Sequence, residues 1–475
     1  MPCLGWHIRY RTIRLAQKPQ MFVSSKVRVL TDETGASTDL PGLITPKGLL
    51  TPLLDYCLSR AQDRSPAWMR KVVRSVGMFL EYMAANPAEH DTHLLFQNFA
   101  QRLYSGTFDL KTGIDPSGLA WPARSSPDAR RIITDLTFFF EWLSKKSAGA
   151  GQVNPRYAGD SFDQACYRAA YLHRRDAAIL GHTWGTKTSA SSKGFAVGPQ
   201  RSQYVYKSEP PAFPEDRLFE LLTNGFKVGN RYDYRGILLT LLCDAGFRES
   251  EPLHLYCEDV VPDPFNPKSA LVRIHHPSQG FAPAGWRDAQ GRERKANRAT
   301  YLAERFGLLP RNQLYGKQAA GWKGGMHDGE YYKEVHWFPP EAGELFLTIW
   351  RKYLRQVAQV NRTHPFAFIN LGGEHRGEMY TLSSFNKAHA RACARIGLVV
   401  KKELGTTEHG HRHAYGRRLK NAGVEPSFLR RFMHHSSEES QKVYTNPTTK
   451  ETREALLRAA EKLQIAYPAR AFLAE

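Results

Sequence analysis

The stretch that most limits the architecture of this chain is 147–213. It opens with SAGAGQVNP and later runs GHTWGTKTSASSKGFAVGPQ, a composition dominated by Gly, Ser and Thr. Such a stretch supplies turns and no sustained apolar period, so it reads as a linker holding at most a short helix at 163–179. It divides the chain into two bodies. The 475 residues are enough for both, and a hydrophobic content of 41% is enough to give each a core. Within the linker, GHTWGTKT is close to a phosphate-binding loop, but Thr186 breaks the Gly-Lys-Ser/Thr adjacency that such a loop needs.

Before the linker, residues 1–46 read as a basic arm with short extended pieces, and 47–146 as a helical domain. SPAWMRKVVRSVGMFLEYMAAN (65–86) places Trp68, Val72, Val73, Val76, Phe79, Leu80 and Met83 near a 3.6-residue period. DTHLLFQNFAQRLYSG (91–106) follows the same pattern and stops at a glycine. SSPDARRIITDLTFFFEWLSKK (125–146) starts with Ser126 and Pro127, a favoured N-cap and first turn, and ends in Lys145 and Lys146, which suit the helix dipole.

The net charge is +20, which points to a polyanionic partner, nucleic acid before membrane. No apolar run approaches the ~18 residues a bilayer span needs. The N-terminal MPCLGWHIRYRTIRLAQ lacks the apolar stretch of a signal peptide, so a cytoplasmic, nucleoid-associated location is expected. The cysteines, 3, 57, 166, 243, 257 and 393, contain no CxxC pair, against a disulfide framework or zinc ribbon, and Cys243 lies in an apolar run as a core residue.

From Pro214 a second body begins, mostly helical with strands at LVRIHH (271–276) and YYKEVHWFP (331–339). Its densest chemistry is EHGHRHAYGRRL (408–419). On a helix, His409, Arg412, His413 and Gly416 share one face. His409 and His413 have the spacing of two zinc ligands, yet position 410 is Gly rather than the Glu a metalloprotease needs as its base, and Arg412 would sit beside the dication. A solvated basic helix is a second reading. A phosphate site is the third, with the arginine forking onto two oxygens and a histidine adding a hydrogen bond. Two further segments bear on the choice. LLCDAGFRESEPLHL (241–255) is an apolar helix ending at Gly246, followed by Arg248 and Glu251; alone, that arginine is a surface cap. FLRRFMHHSSEESQKVYTNP ends one helix near His434 and His435, starts another at Ser436 or Ser437, and delivers Tyr444, which alone is a core anchor.

Taken together, GFRESEPL, HGHRH and MHHSSEESQKVYT resemble the tyrosine recombinases, the phage-type integrases, over about 214–465. The length and insertion are similar to recombinases of bacterial mobile elements, the gamma-mobile-trio type among them. The resemblance implies a mainly α fold with a small antiparallel β-sheet: a helical core-binding domain at 47–146 that clamps DNA, then an α+β catalytic domain at 214–475. It implies Arg248, Lys323, His409, Arg412, His435 and Tyr444 as the catalytic set, with Glu251 orienting Arg248. The sequence departs from the family at His434, which stands where the family has Gly. His434 competes with His435 for the histidine role, and the nine-residue spacing to Tyr444 favours His435. The lysine belongs on a hairpin. With GGMHDGE as its turn, Lys323 ends the strand before it, and Lys333 on the return strand is the alternative. An insertion at about 277–320 offers Arg287, Arg292, Arg294, Lys295 and Arg298 to DNA.

The same resemblance implies strand cleavage and rejoining through a 3′-phosphotyrosyl intermediate, with no cofactor and no metal. The implied partners are double-stranded DNA attachment sites, further copies of the chain in a homotetramer, and a directionality factor or element-encoded partner. The C-terminal TKETREALLRAAEKLQIAY, with a capping box from Thr448 to Glu451, either packs on its own domain or docks on a neighbouring subunit. Two other functions compete: a catalytically silent DNA-binding accessory protein of the same fold, and a type IB topoisomerase-like strand transferase.

Overall fold

The computed structural model describes residues 22–31, 33, 35, 37–109, 112–146, 153–156, 169, 173, 195–200, 210–288, 290–292, 296–436, 454 and 458. It divides into two compact units, Met1–Tyr204 and Val205–Glu475. Tyr444, all of the short helix expected at 163–179 but residues 169 and 173, and the capping box of the C-terminal helix lie outside the described residues.

The first unit begins with an antiparallel sheet of β1 (Val23–Leu30), β2 (Ser37–Thr45) and β3 (Gly48–Leu49). Among the described residues four helices follow: α1 (Thr51–Ser59), α2 (Pro66–Ala85), α3 (Thr92–Ser105) and α4 (Ser126–Lys146). Local chemistry sets their starts. The Ser65 side chain accepts the Trp68 N–H with Pro66 in the first turn, and Asp91 accepts from His93 and Leu94. Their apolar faces meet in an aromatic cluster, with Phe79 packed 5.2–5.6 Å from Phe96, Phe99 and Phe140, edge to face. The extended pieces expected in the basic arm at 1–46 are β1 and β2, and they pack with these helices. Leu40 and Leu43 of β2 are buried in the same core, where β2 packs against α1 and α2.

The second unit is built around α6. Its helices are α5 (Glu215–Glu220), α6 (Tyr234–Asp244), α7 (Arg298–Phe306), α8 (Glu341–Val357), α9 (Leu382–Arg395), α10 (Glu408–Asn421) and α11 (Pro426–Phe432). YRGILLTLLCD is apolar on nearly every face. Gly236 through Asp244 are all buried, Cys243 included, with α8, α9 and α10 packed around them. A ribbon of β4 (Lys227–Val228) and β5 (Arg231–Tyr232) precedes α6. A three-stranded sheet of β6 (Val260–Pro262), β7 (Ala270–His275) and β8 (Tyr332–Glu334) lies beyond it. The protein is thus mainly α with small antiparallel sheets.

The insertion folds as a lobe against this unit. Trp286, Tyr301 and Leu302 close a small core with Tyr256, Phe366 and Met379. Arg298, expected at a DNA surface, is buried instead, with its guanidinium on Asp259 and on the carbonyls of Phe281 and His254. Arg311 is likewise buried and donates to the carbonyls of Leu253, Gln318 and Tyr380. A guanidinium has enough donors to satisfy several buried carbonyls at once, which lets irregular backbone be packed away from water. Arg287 and Arg292 remain exposed.

Candidate active site

Two helix ends converge beside α10. The first is the end of α6. Gly246 takes a left-handed backbone (φ 93°), with Gly246 N–H on the Cys243 carbonyl and Phe247 N–H on the Leu242 carbonyl. This paired closure is a Schellman cap, and it aims Arg248 two residues later. The second is the end of α11. His434 is left-handed (φ 53°), its N–H on the Arg431 carbonyl and the His435 N–H on the Arg430 carbonyl. The same closure thus aims His435, but with a histidine in the position where glycine is preferred.

Arg412 joins the two ends. It lies on α10, 2% exposed, and its guanidinium donates to the Gly246 carbonyl and, at 2.6 Å, to the Met433 carbonyl. A permanent cation beside two helix C-termini is also favoured by their dipoles. As expected of a helical 408–419, His409 and His413 stand one turn apart, ring to ring at 4.6 Å. His411 points the other way, stacked 4.0 Å from Phe213 and 2.9 Å from His389. Gly410 packs flat against the Gly405 carbonyl, and a β-carbon there would collide with it. That close approach, rather than a metal-site design, accounts for glycine where a metalloprotease has glutamate.

Glu251 underlies the arginines. Its carboxylate is fully buried, accepts Arg248 Nη1 at 3.0 Å and the Arg248 N–H at 3.2 Å, and receives Lys333 Nζ at 2.9 Å. Burial alone would raise its carboxyl. The charges of Lys333, Arg248 and Arg412 outweigh burial and bring it to about 2. Glu251 is therefore an anion that orients Arg248, the role expected of it.

The lysines separate clearly. Lys333, on β8, is fully buried. It holds Glu251, reaches the Lys323 carbonyl at 3.3 Å and lies 4.5 Å over the Trp322 ring. Lys323 is exposed, in irregular backbone rather than at a strand end. The backbone there is tied to side chains instead of a ladder: the Gly321 carbonyl accepts Ser250 Oγ at 2.7 Å and the Lys323 carbonyl accepts Lys333 Nζ. The charge of Lys323 bears on both His409 and His435, together with those of Arg412 and Arg248. His435 is 4% exposed, and burial, followed by these cations, lowers it to about 3. His409 opens to solvent, and crowding by its neighbours and the same cations also hold it below its ordinary value.

The described residues thus bring Arg248, Lys323, His409, Arg412 and His435 within electrostatic reach of one another, with Lys323 and His409 exposed and Arg412 and His435 buried. Their arrangement can clamp a tetrahedral anion between guanidinium forks, with neutral imidazoles at its edge. Reading the sequence missed Asp328 and the left-handed role of His434. The only local trace of either is the helix-closing position that His434 fills.

No family model and no curated protein matches this chain. It is similar to several solved structures. One is the XerH site-specific recombinase bound to palindromic difH substrate, a post-cleavage complex, with 14% identity over 85% of this chain and 83% of that one and a TM-score of 0.46. Another is XerA recombinase, with 12% identity over 88% and 98% and a TM-score of 0.32. A third is the Tn1549 transposon integrase in complex with circular intermediate DNA, with 14% identity over 81% and 99% and a TM-score of 0.31. No helix among the described residues is long and apolar enough to cross a membrane.

Proposed function

We propose that this protein is a tyrosine recombinase that cuts and rejoins double-stranded DNA, as the integrase of a bacterial mobile element. The observation that carries the reading is the cross-tie of Arg412 to the carbonyls that close α6 and α11, which draws Arg248 and His435 to the same place. Those residues come from segments far apart in the chain, and they fall in the order the family requires.

In this reading the Tyr444 hydroxyl attacks the scissile phosphorus in line. The P–O5′ bond breaks, and a 3′-phosphotyrosyl link and a free 5′-hydroxyl form. The tyrosine proton passes to His409, whose imidazole is held neutral, and Lys323 protonates the departing 5′-oxygen. Arg248 and Arg412 neutralise the pentacoordinate phosphate, and His435 donates a hydrogen bond to it. A hydroxyl from a second strand reverses the step, so the phosphodiester energy is kept. Exchange between two duplexes calls for four copies of the chain, with a directionality factor biasing the outcome. Affinity comes mainly from phosphate contacts and weakens steeply with salt.

The test is covalent trapping. The full chain and its Tyr444→Phe variant are incubated with nicked duplexes that tile the DNA flanking the coding sequence, then denatured. A protein–DNA adduct from the wild type alone is the expected result. Duplex binding by both proteins without any adduct would favour a silent accessory protein. Relaxation of a supercoiled plasmid lacking those sequences would favour a topoisomerase.

A further inference from the structure

Asp328 has no role in the chemistry above, yet it is among the most heavily bonded carboxylates of the second unit. Oδ2 accepts His434 Nε2 at 2.7 Å and the Glu334 N–H at 2.9 Å. Oδ1 accepts His336 Nε2 and Arg431 Nε, each at 3.2 Å. Its side chain is 4% exposed and that of His434 is 1% exposed. Burial would raise the carboxyl, but the bonds from His336, His434 and Glu334 outweigh it and hold it far below the usual carboxylate range. Asp328 and Lys323 lie on one segment, and His434 and His435 on another. A second contact joins the same two segments: Gly325 rests against the His434 carbonyl so closely that a β-carbon would collide with it.

His434 occupies the left-handed position of the α11 cap, which is disfavoured for a residue with a β-carbon. A short, charge-assisted bond from a buried carboxylate is the kind of restraint that keeps such a residue in place. We propose that Asp328 is a positioning residue: its bond to His434 holds the left-handed turn that aims His435, and ties that turn to the segment bearing Lys323. The inference rests on the phosphate-transfer reading for its catalytic consequence, though not for the clasp itself.

Asp328, His336 and His434 also have donor atoms within 4.8 Å of one another, as a metal site requires. The bonding speaks against that use. Both Nε2 atoms already engage the carboxylate, and Arg431 places a guanidinium where a dication would have to sit.

A double-mutant cycle on the full chain tests the clasp, with Asp328→Ala measured in the wild-type and His434→Gly backgrounds. Glycine adopts the left-handed turn without restraint, so it removes the need for Asp328. In the wild-type background the substitution should slow adduct formation at saturating DNA by about tenfold and lower the melting temperature by about 3 °C. Duplex affinity should not move, which separates a misaimed His435 from a damaged DNA surface. In the His434→Gly background the loss of rate should shrink to about twofold, with a matching recovery in the melting shift. Equal losses in both backgrounds, or no loss in either, would overturn the proposal. So would a melting temperature raised by stoichiometric Zn²⁺ in the wild type but not in Asp328→Ala, which would make the trio a metal centre. If no duplex yields an adduct with the wild type, the recombinase reading fails. The melting cycle then still decides whether Asp328 holds His434.

Discussion

Helices α6 and α11 close with the same pair of backbone hydrogen bonds, and both feed a site residue into the same place. They differ at one position. Gly246 closes α6 at φ 93°, and a β-carbon there would strike the Tyr415 ring. His434 closes α11 at φ 53° and carries a full imidazole, bonded to Asp328. The α6 end meets its backbone requirement locally, with the one residue type that has no β-carbon. The α11 end meets it with a tertiary contact, from a residue more than a hundred positions earlier. The first solution is self-sufficient. The second makes the aim of His435 depend on the segment that carries Lys323.

Removing what the two ends share has the largest expected effect. Arg412→Ala leaves the Gly246 and Met433 carbonyls without that partner and withdraws a phosphate fork. Adduct formation should fall by about 10²–10³-fold, measured by single-turnover trapping at saturating DNA. Next is the support beneath the α6 end. Lys333→Met leaves the buried Glu251 carboxylate with Arg248 but without its lysine, a loss of about 3 kcal/mol in chemical denaturation. A loss of adduct formation with stability intact would instead make Lys333 the proton donor. The glycine itself comes third. Gly246→Ala should cost about 2 kcal/mol, from the left-handed strain and the crowding of Tyr415. If it proved neutral, the contrast between the two ends would collapse.

The smallest effect is in pH. His435 and His254 are both held at about 3, burial being the main cause in each, with nearby arginine charges adding to it. Their folded values lie below the ordinary histidine value of about 6.5, so the unfolded chain binds protons first as pH falls. Their stabilisation is fully present above about 6.5 and is lost progressively toward 3. Between pH 7 and 6 the loss should be about half a kcal/mol per group, read as a falling melting temperature. Asp328 acts in the same direction but lower, losing its contribution only once pH drops below the ordinary carboxylate range. Stability that rose on acidification through this window would contradict both assignments.

The legible parts were those whose cause is local. In the first unit the apolar period marked the helices and Gly106 the end of α3, while the N-cap expected at Ser126 falls one residue inside α4, whose first N–H groups reach the Ser125 carbonyl. The facing of His409 and Arg412 followed from helical spacing alone. Arg298 was misread because a charged residue in a polar stretch looks exposed until Asp259 and two carbonyls are found to meet it. The strand expected before Lys323 was misread because the carbonyls of Gly321 and Lys323 accept side chains, Ser250 and Lys333, from elsewhere in the chain. The sequence of the arm at 1–46 shows short extended pieces but not which core they join, because that contact is set by α1 and α2 further along the chain.

By itself, the sequence determined that there are two bodies, that both contain helices, and that Arg248, His409, Arg412 and His435 occur in an order that resembles that of the tyrosine recombinases. Those properties depend on composition, on periodicity and on separations along the chain. The tertiary structure alone decided that Lys333 is buried beneath the site while Lys323 opens onto it. It likewise decided that a histidine can close α11 because an aspartate reaches it from another segment. Hydrogen bonds and ion pairs between distant segments depend on distance in space, and no local pattern encodes that distance.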